Sequence, residues 1–138
     1  MTKEFIYSKL QQHRLAVLAT VEEGGRPQAA LVGFAVTPDL EIVFDTVRTS
    51  RKFSNLIANP RVALVIGWKN ETTIQYEGIV RELGEGEGME YKEVYYAVYP
   101  DGRQRAVEWP GLTHFVIRPS WIRYSNFNDP VVIEEMPL

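Results

Sequence analysis

Short apolar segments separated by tight turns dominate the first half of the chain. Residues 14–21 carry apolar side chains on both faces, which predicts a strand buried within a sheet. A turn at 22–25 follows, and then come two more such runs, at 28–36 and 41–46. Strands this close together pair as antiparallel hairpins. The pattern therefore predicts a meander, and hence a barrel or sandwich that is mainly β.

Further short apolar runs separated by turns follow in the rest of the chain. Further strands are expected at 62–68, 72–83, 112–117, 121–124 and 131–133, with a break at 118–120. Helices are expected at 2–12, 50–58 and 89–99, and a mixed-charge loop at 101–111. We expect one domain over residues 1–138: an antiparallel split β-barrel of six to eight strands, with helices at its rim.

Composition excludes several classes of function. The chain has 138 residues, a net charge of −3 and no cysteine. It therefore offers no disulfide, no catalytic thiolate and no cysteine-based metal site. An acidic balance does not favour a nucleic-acid partner. The polar N-terminus and the lack of a long apolar run predict a cytoplasmic protein without a membrane partner.

One segment concentrates hydroxyl groups and cations at the start of a helix. Thr46 ends the third strand, and Ser50, Arg51 and Lys52 open the helix that follows. A helix N-terminus already carries partial positive charge and unpaired N–H groups, so cations there are unfavourable without an anion. A phosphate would use all of these groups together. An exposed basic turn with Thr49 or Ser50 as a plain N-cap explains the motif equally well.

No self-sufficient catalytic set is visible. His13 and His114 lie far apart without ligand-like spacing to carboxylates, and His114 falls in a strand, where a packed or surface imidazole is expected. No carboxylate pair stands out for acid–base work, and the common hydrolase, zinc-protease and nucleotide-binding motifs are missing. We assign neither a metal site nor a catalytic residue. A phosphate site without catalytic groups is typical of a protein whose cofactor carries the chemistry.

The sequence resembles the pyridoxamine 5'-phosphate oxidase-related, FMN-binding split-barrel family. The resemblance is carried by VFDTVRTSRKFSNLIANPRVALVIGW at 43–68 and by GGRPQAALVGF at 24–34. It extends more loosely through IQYEGIVREL at 74–83 and the helix ending in YAVYP at 96–100.

The resemblance implies a split barrel that forms a homodimer, with FMN in a groove between the subunits. The FMN phosphate would be held by Ser50, Arg51 and Lys52, with the hydroxyl of Thr46 beside it. Asp45 stands where the family often has a Tyr.

The resemblance also implies where the isoalloxazine ring would lie. The backbone of the second strand would run beside it at Leu31, Val32 and Gly33, although Gly33 equally fits a close-packed bend of a barrel. A ring-contacting Gln of the family is replaced by Thr73, and Gln75 on the same strand face is the expected substitute. Trp121 would reach the flavin of the partner subunit, or else pack at the end of the barrel.

The chain departs from the true oxidase where that enzyme holds pyridoxal phosphate. The Arg-x-His-x-Arg-like segment is absent from the C-terminus, where Arg123 stands alone, and Ala29–Ala30 replaces an Arg. We therefore expect an FMN-dependent oxidoreductase or flavin reductase with an unassigned small-molecule substrate or electron donor, and not a pyridoxine oxidase. The alternatives are a deazaflavin-dependent reductase and a non-catalytic flavin- or haem-binding module.

Overall fold

A computed structural model describes all residues from 1 to 138. Its elements, in chain order, are α1 Lys3–Gln11, β1 Leu15–Val21, β2 Pro27–Gly33, β3 Ala35–Val36, β4 Ile42–Val47, α2 Arg51–Ala58, β5 Arg61–Ile66, β6 Thr72–Leu83, α3 Met89–Val98, α4 Gly102–Glu108, β7 Leu112–Asn126 and β8 Val132–Pro137. The longest helix, α3, has ten residues. None of the four helices is long and apolar enough to cross a membrane.

The strands form one antiparallel sheet that must curl. Its order is β2-β1-β5-β6-β7-β4-β3, with β8 paired to β7. The two edge strands, β2 and β3, are consecutive in the chain and are separated only by Phe34. A single residue cannot connect opposite edges of a flat sheet, so the sheet closes on itself as a barrel. The predicted antiparallel split barrel is confirmed. The predicted strand at 28–36 is divided at Phe34: its first part, β2, pairs with β1, and its second part, β3, pairs with β4.

The barrel interior is filled by large apolar side chains. Phe34, Phe44, Tyr76 and Phe115 are at most 1% exposed. Helix α1 contributes to this core through two residues one turn apart, Ile6 and Leu10, which are fully buried. As expected from the sequence, α1 therefore packs against the barrel.

A fourth helix, α4, lies where we predicted a loop at 101–111. It has no apolar stripe, and ionic contacts hold it in place. Arg105 pairs with Asp101 at 2.7 Å and approaches Asp45 of the barrel at 3.8 Å. Because both contacts are polar, and the one with Asp45 is tertiary, the hydrophobic pattern of the segment does not reveal the helix.

Strand β7 is continuous through the predicted break at 118–120. Its partner β6 shifts register between Glu77 and Gly78, so that Glu77 lies opposite Trp121 and Gly78 opposite Pro119. Proline is tolerated at such a bulge because no ladder hydrogen bond is required there. A Cβ at Gly78 would lie 2.5 Å from the carbonyl oxygen of Arg118, which explains the glycine.

Candidate functional site

The start of α2 is organised by two hydroxyl groups. The Ser50 Oγ accepts a hydrogen bond from the Phe53 backbone N–H at 3.1 Å and therefore caps the helix. It also shares a hydrogen bond of 2.9 Å with the Oγ1 of Thr46, at the end of β4. No acidic residue lies in the first turn. Ser50 is thus the N-cap, and Thr46 joins the strand end to the helix start.

A cleft of about 420 Å³ lies between α2 and the β1–β2 hairpin. Its lining residues are Leu18, Thr20, Gln28, Ala29, Ala30, Arg51 and Lys52. None of them is a carboxylate. The nearby Arg48 pairs with Glu82 at 2.6 Å, whereas neither Arg51 nor Lys52 has a carboxylate within ion-pairing distance. The cleft therefore presents two uncompensated positive charges beside a helix N-terminus, an arrangement suited to an anion.

Asn55 fixes α2 against the hairpin, and sequence reasoning missed it. This side chain is 5% exposed, and its Nδ2 donates to Thr20 Oγ1 at 3.0 Å and to Gln28 Oε1 at 2.8 Å. Gln28 in turn donates to Glu22 at 3.0 Å. The i, i+3, i+4 spacing of Phe53, Leu56 and Ile57 predicts an apolar helix face, but Ile57 is 58% exposed. The sequence signal for this role is an amide side chain inside a short helix, because a buried amide needs a hydrogen-bond partner.

The β2 residues assigned to the ring differ in exposure. Leu31 is 59% exposed and Val32 is 7% exposed. A Cβ at Gly33 would lie 2.8 Å from the hydroxyl of Tyr99, which donates to the carbonyl oxygen of Arg14 at 2.5 Å. Packing against Tyr99 is therefore sufficient to explain this glycine.

The other three residues assigned to the ring lie away from the α2 cleft within one chain. Gln75 and Trp121 border a shallow groove of about 110 Å³ on the outer face of the sheet. Trp121 is partly exposed there and is not part of the barrel core. Thr73 borders a larger, separate cleft near the end of β5. One chain thus brings together the residues predicted to hold the phosphate but not the remaining residues predicted to contact the ring.

A second polar cluster lies beneath α3 and was not expected from the sequence. His114 lies opposite Asp45 in the β4–β7 ladder and is 4% exposed. The rings of Tyr95 and Tyr96 both meet its imidazole edge-on, with centroids 5.6 Å away. Burial lowers the pKa of His114, as do nearby cations, against the opposing effect of Asp45. The imidazole is packed, as expected for a strand histidine, and its burial favours the neutral form.

The chain matches the family model described as pyridoxamine 5'-phosphate oxidase over residues 2–126. A similar curated protein is the pyridoxine/pyridoxamine 5'-phosphate oxidase of Cupriavidus necator, which is 34% identical over 100 residues. That alignment covers 72% of this chain and 45% of the relative. This chain thus aligns with less than half the length of that enzyme.

Solved structures agree on the fold. A pyridoxamine 5'-phosphate oxidase-related, FMN binding protein from Nostoc punctiforme matches with a TM-score of 0.66 at 14% identity, over 99% of this chain and 92% of its own. A heme binding protein from Mycobacterium smegmatis matches with a TM-score of 0.74 at 15% identity, over 95% of this chain and 56% of its own. These identities support a shared fold alone. With the family match over most of its length, the chain belongs to the pyridoxamine 5'-phosphate oxidase family.

Proposed function

We propose that this protein binds FMN with the phosphate in the α2 cleft and acts as an FMN-dependent oxidoreductase on a small molecule. The observation that carries this proposal is the pair Arg51 and Lys52, which border the cleft without a carboxylate partner. Arg48, in the same turn, already has Glu82 as its partner. The chain therefore leaves uncompensated the two cations that border the cleft.

The residues of the cleft fit a phosphate ester. The first turn of α2 supplies unpaired backbone N–H groups and the positive end of the helix dipole. Arg51 and Lys52 would supply charge-assisted hydrogen bonds, each on the order of 1.5–3 kcal/mol. Thr46 and Ser50 would hold the turn in position through the 2.9 Å bond between their hydroxyl groups. Bound FMN would supply the hydride-transfer chemistry that this chain lacks.

The ring contacts assigned to Thr73, Gln75 and Trp121 require a second subunit. The outer face of the sheet exposes apolar side chains, among them Leu31 at 59% and Val65 at 39%. Val65 also borders the groove that contains Gln75 and Trp121. We propose that a second copy of the chain covers this face and that the ring lies between the subunits, beside Leu31, Val32 and Gly33 of one of them. Exposed apolar surface of this kind is typical of an interface.

Pyridoxine oxidation is not part of the proposal. Ala29 and Ala30 border the α2 cleft where the oxidase is expected to place an Arg, so this wall provides no cation for a second phosphate. The substrate or electron donor is therefore a different small molecule.

Haem binding by a neighbour of the same fold defines the second candidate. A haem site needs an axial ligand, commonly a histidine. His114 is enclosed between two tyrosine rings, and His13 lies among cations in another cleft. The α2 cleft itself contains no histidine. The chemistry of the α2 cleft thus favours a phosphate-bearing flavin over haem. To separate FMN from a deazaflavin, the mass of the extracted cofactor is determined.

The test is a titration of the purified protein with FMN, followed by flavin absorbance and fluorescence. We expect the Arg51→Gln/Lys52→Gln variant to bind FMN at least about tenfold more weakly, since each tenfold corresponds to roughly 1.4 kcal/mol. Its circular dichroism should match that of the unaltered protein. Failure of the unaltered protein to bind FMN would refute the proposal.

Arg48→Gln is the matched control. This change removes a cation from the same turn, but one that Glu82 already neutralises at 2.6 Å. We expect FMN affinity to stay within about threefold, given the small energies of exposed ion pairs. A loss as large as that of the double variant would mean that general charge near α2, and not the cleft, governs binding.

A further inference from the structure

A second cleft, of about 610 Å³, lies toward the opposite end of β1 from the α2 cleft. Leu15 borders this cleft, whereas Thr20 borders the α2 cleft. Leu18, which also borders the α2 cleft, lies about 10 Å along the strand from Leu15, and Thr20 lies about 17 Å from it. The two clefts are therefore separate sites within one chain.

The second cleft is lined by basic residues without a carboxylate. Lys9, His13, Arg14 and Lys69 all border it, and no Asp or Glu is among its lining residues. None of these four forms an ion pair, although Lys3, on the same helix as Lys9, pairs with Asp39 at 2.9 Å. In a protein of net charge −3, this is a local concentration of uncompensated positive charge.

His13 lies within this positive field. Burial lowers its pKa, and the charges of Lys69 and Lys9 lower it further. Its ring lies against Gly67, where a Cβ would be 2.7 Å from the imidazole Nε2. The imidazole is thus held close to two ammonium groups. A bound anion would offset this repulsion and favour protonation of His13.

The remaining walls are polar and structurally fixed. Asn128 Nδ2 donates to the carbonyl oxygen of Asn70 at 2.9 Å, and Thr72 Oγ1 donates to that of Lys69 at 2.9 Å. Trp68, which is 52% exposed, adds an aromatic surface. The volume exceeds what a simple phosphate ion needs and lies within the usual range for small-molecule sites.

We propose that this cleft binds a phosphate-bearing small molecule, with its phosphate between Lys9, His13 and Lys69 and a planar organic group against Trp68. This phosphate position is distinct from the proposed FMN phosphate site, because the two clefts share no lining residue. Thr73, which also borders the second cleft, is assigned above to the flavin ring and is not one of the contacts proposed here. It would give the protein a second ligand, recognised by charge and by aromatic contact.

The test uses the two histidines as reporters in a proton NMR titration with inorganic pyrophosphate at constant ionic strength. We expect saturable binding that raises the pKa of His13 and leaves His114 unchanged, because His114 lies beneath α3. The same response should appear in Arg51→Gln/Lys52→Gln. If it disappears there, the anion binds in the α2 cleft, and the present inference fails while the FMN proposal stands. An unchanged pKa of His13 would also overturn it.

Charge variants locate the site. Lys9→Gln/Lys69→Gln should weaken pyrophosphate binding at least about tenfold, as expected for the loss of charge-assisted contacts. Lys3→Gln, on the same helix but paired with Asp39, should leave it unchanged. Equal losses in both variants would show non-specific attraction only.

The contact with Trp68 is tested with AMP. AMP should bind more tightly than inorganic phosphate to the unaltered protein, but not to the Trp68→Ala variant. Equal affinities for the two ligands in the unaltered protein would overturn the contact with Trp68.

Discussion

Removing the Asn55 amide should loosen the α2 cleft and destabilise the protein. Asn55→Ala removes two hydrogen bonds, to Thr20 at 3.0 Å and to Gln28 at 2.8 Å. Each of these bonds contributes about 1 kcal/mol net, while alanine recovers roughly 0.5 kcal/mol of helix propensity. The buried Thr20 hydroxyl is left without this donor, which adds to the cost. We expect a net loss of about 2 kcal/mol in the free energy of unfolding.

Thermal and urea unfolding at one fixed protein concentration measure this loss. For a chain of this size, about 2 kcal/mol corresponds to a decrease of roughly 7 °C in Tm. FMN binding should weaken as well, because α2 carries both cleft cations. Ser54→Ala, at an exposed position on the same helix, is the control and should change stability by less than about 0.5 kcal/mol. If Asn55→Ala were no more destabilising than Ser54→Ala, the clamp between helix and hairpin would be refuted.

Two further predictions concern the packing of Gly33 and the pH dependence caused by His114. Gly33→Ala should destabilise the protein by about 1–3 kcal/mol, because its Cβ would lie 2.8 Å from the Tyr99 hydroxyl. A smaller destabilisation by Gly33→Ala in a Tyr99→Ala background would confirm this contact, and equal destabilisation in both backgrounds would refute it. Burial holds the pKa of His114 below its ordinary 6.5, so its neutral form contributes stability above that pH, and this stability is lost as the pH falls through the folded-state pKa. The His13→Gln variant leaves His114 as the only histidine, so its urea unfolding between about pH 5 and 8 should show this loss of stability at acid pH. In the His13→Gln/His114→Gln variant, the free energy of unfolding should depend less on pH. Parallel pH profiles in the two variants would exclude His114 as the source.

Local patterns were sufficient to predict most elements. The β6 strand, Thr72–Leu83, has the bounds expected from its alternation, and α3, Met89–Val98, ends one residue earlier than expected. Their signals lie within the segment itself, in side-chain periodicity and turn residues. The same holds for the start of α2, where Ser50 acts as the N-cap.

Features that depend on distant partners could not be predicted in this way. Helix α4 depends on Arg105 meeting Asp45, and the bulge that accommodates Pro119 lies opposite Gly78 on another strand. The sheet order follows from long-range pairings such as β4 with β7, which no local pattern specifies. Asn55 belongs to the same class, because its partners lie 27 and 35 residues away. The proposed phosphate residues could be predicted because they are neighbours in sequence, whereas the proposed ring contacts lie apart within one chain and could not be tested against a local pattern.

The comparison of FMN with riboflavin tests the central claim most directly, since the two ligands differ only by the phosphate. We predict that the protein binds FMN at least about tenfold more tightly than riboflavin, and that Arg51→Gln/Lys52→Gln reduces this ratio to near one. A double variant that retained the full preference for FMN would contradict the assignment of the phosphate to the α2 cleft.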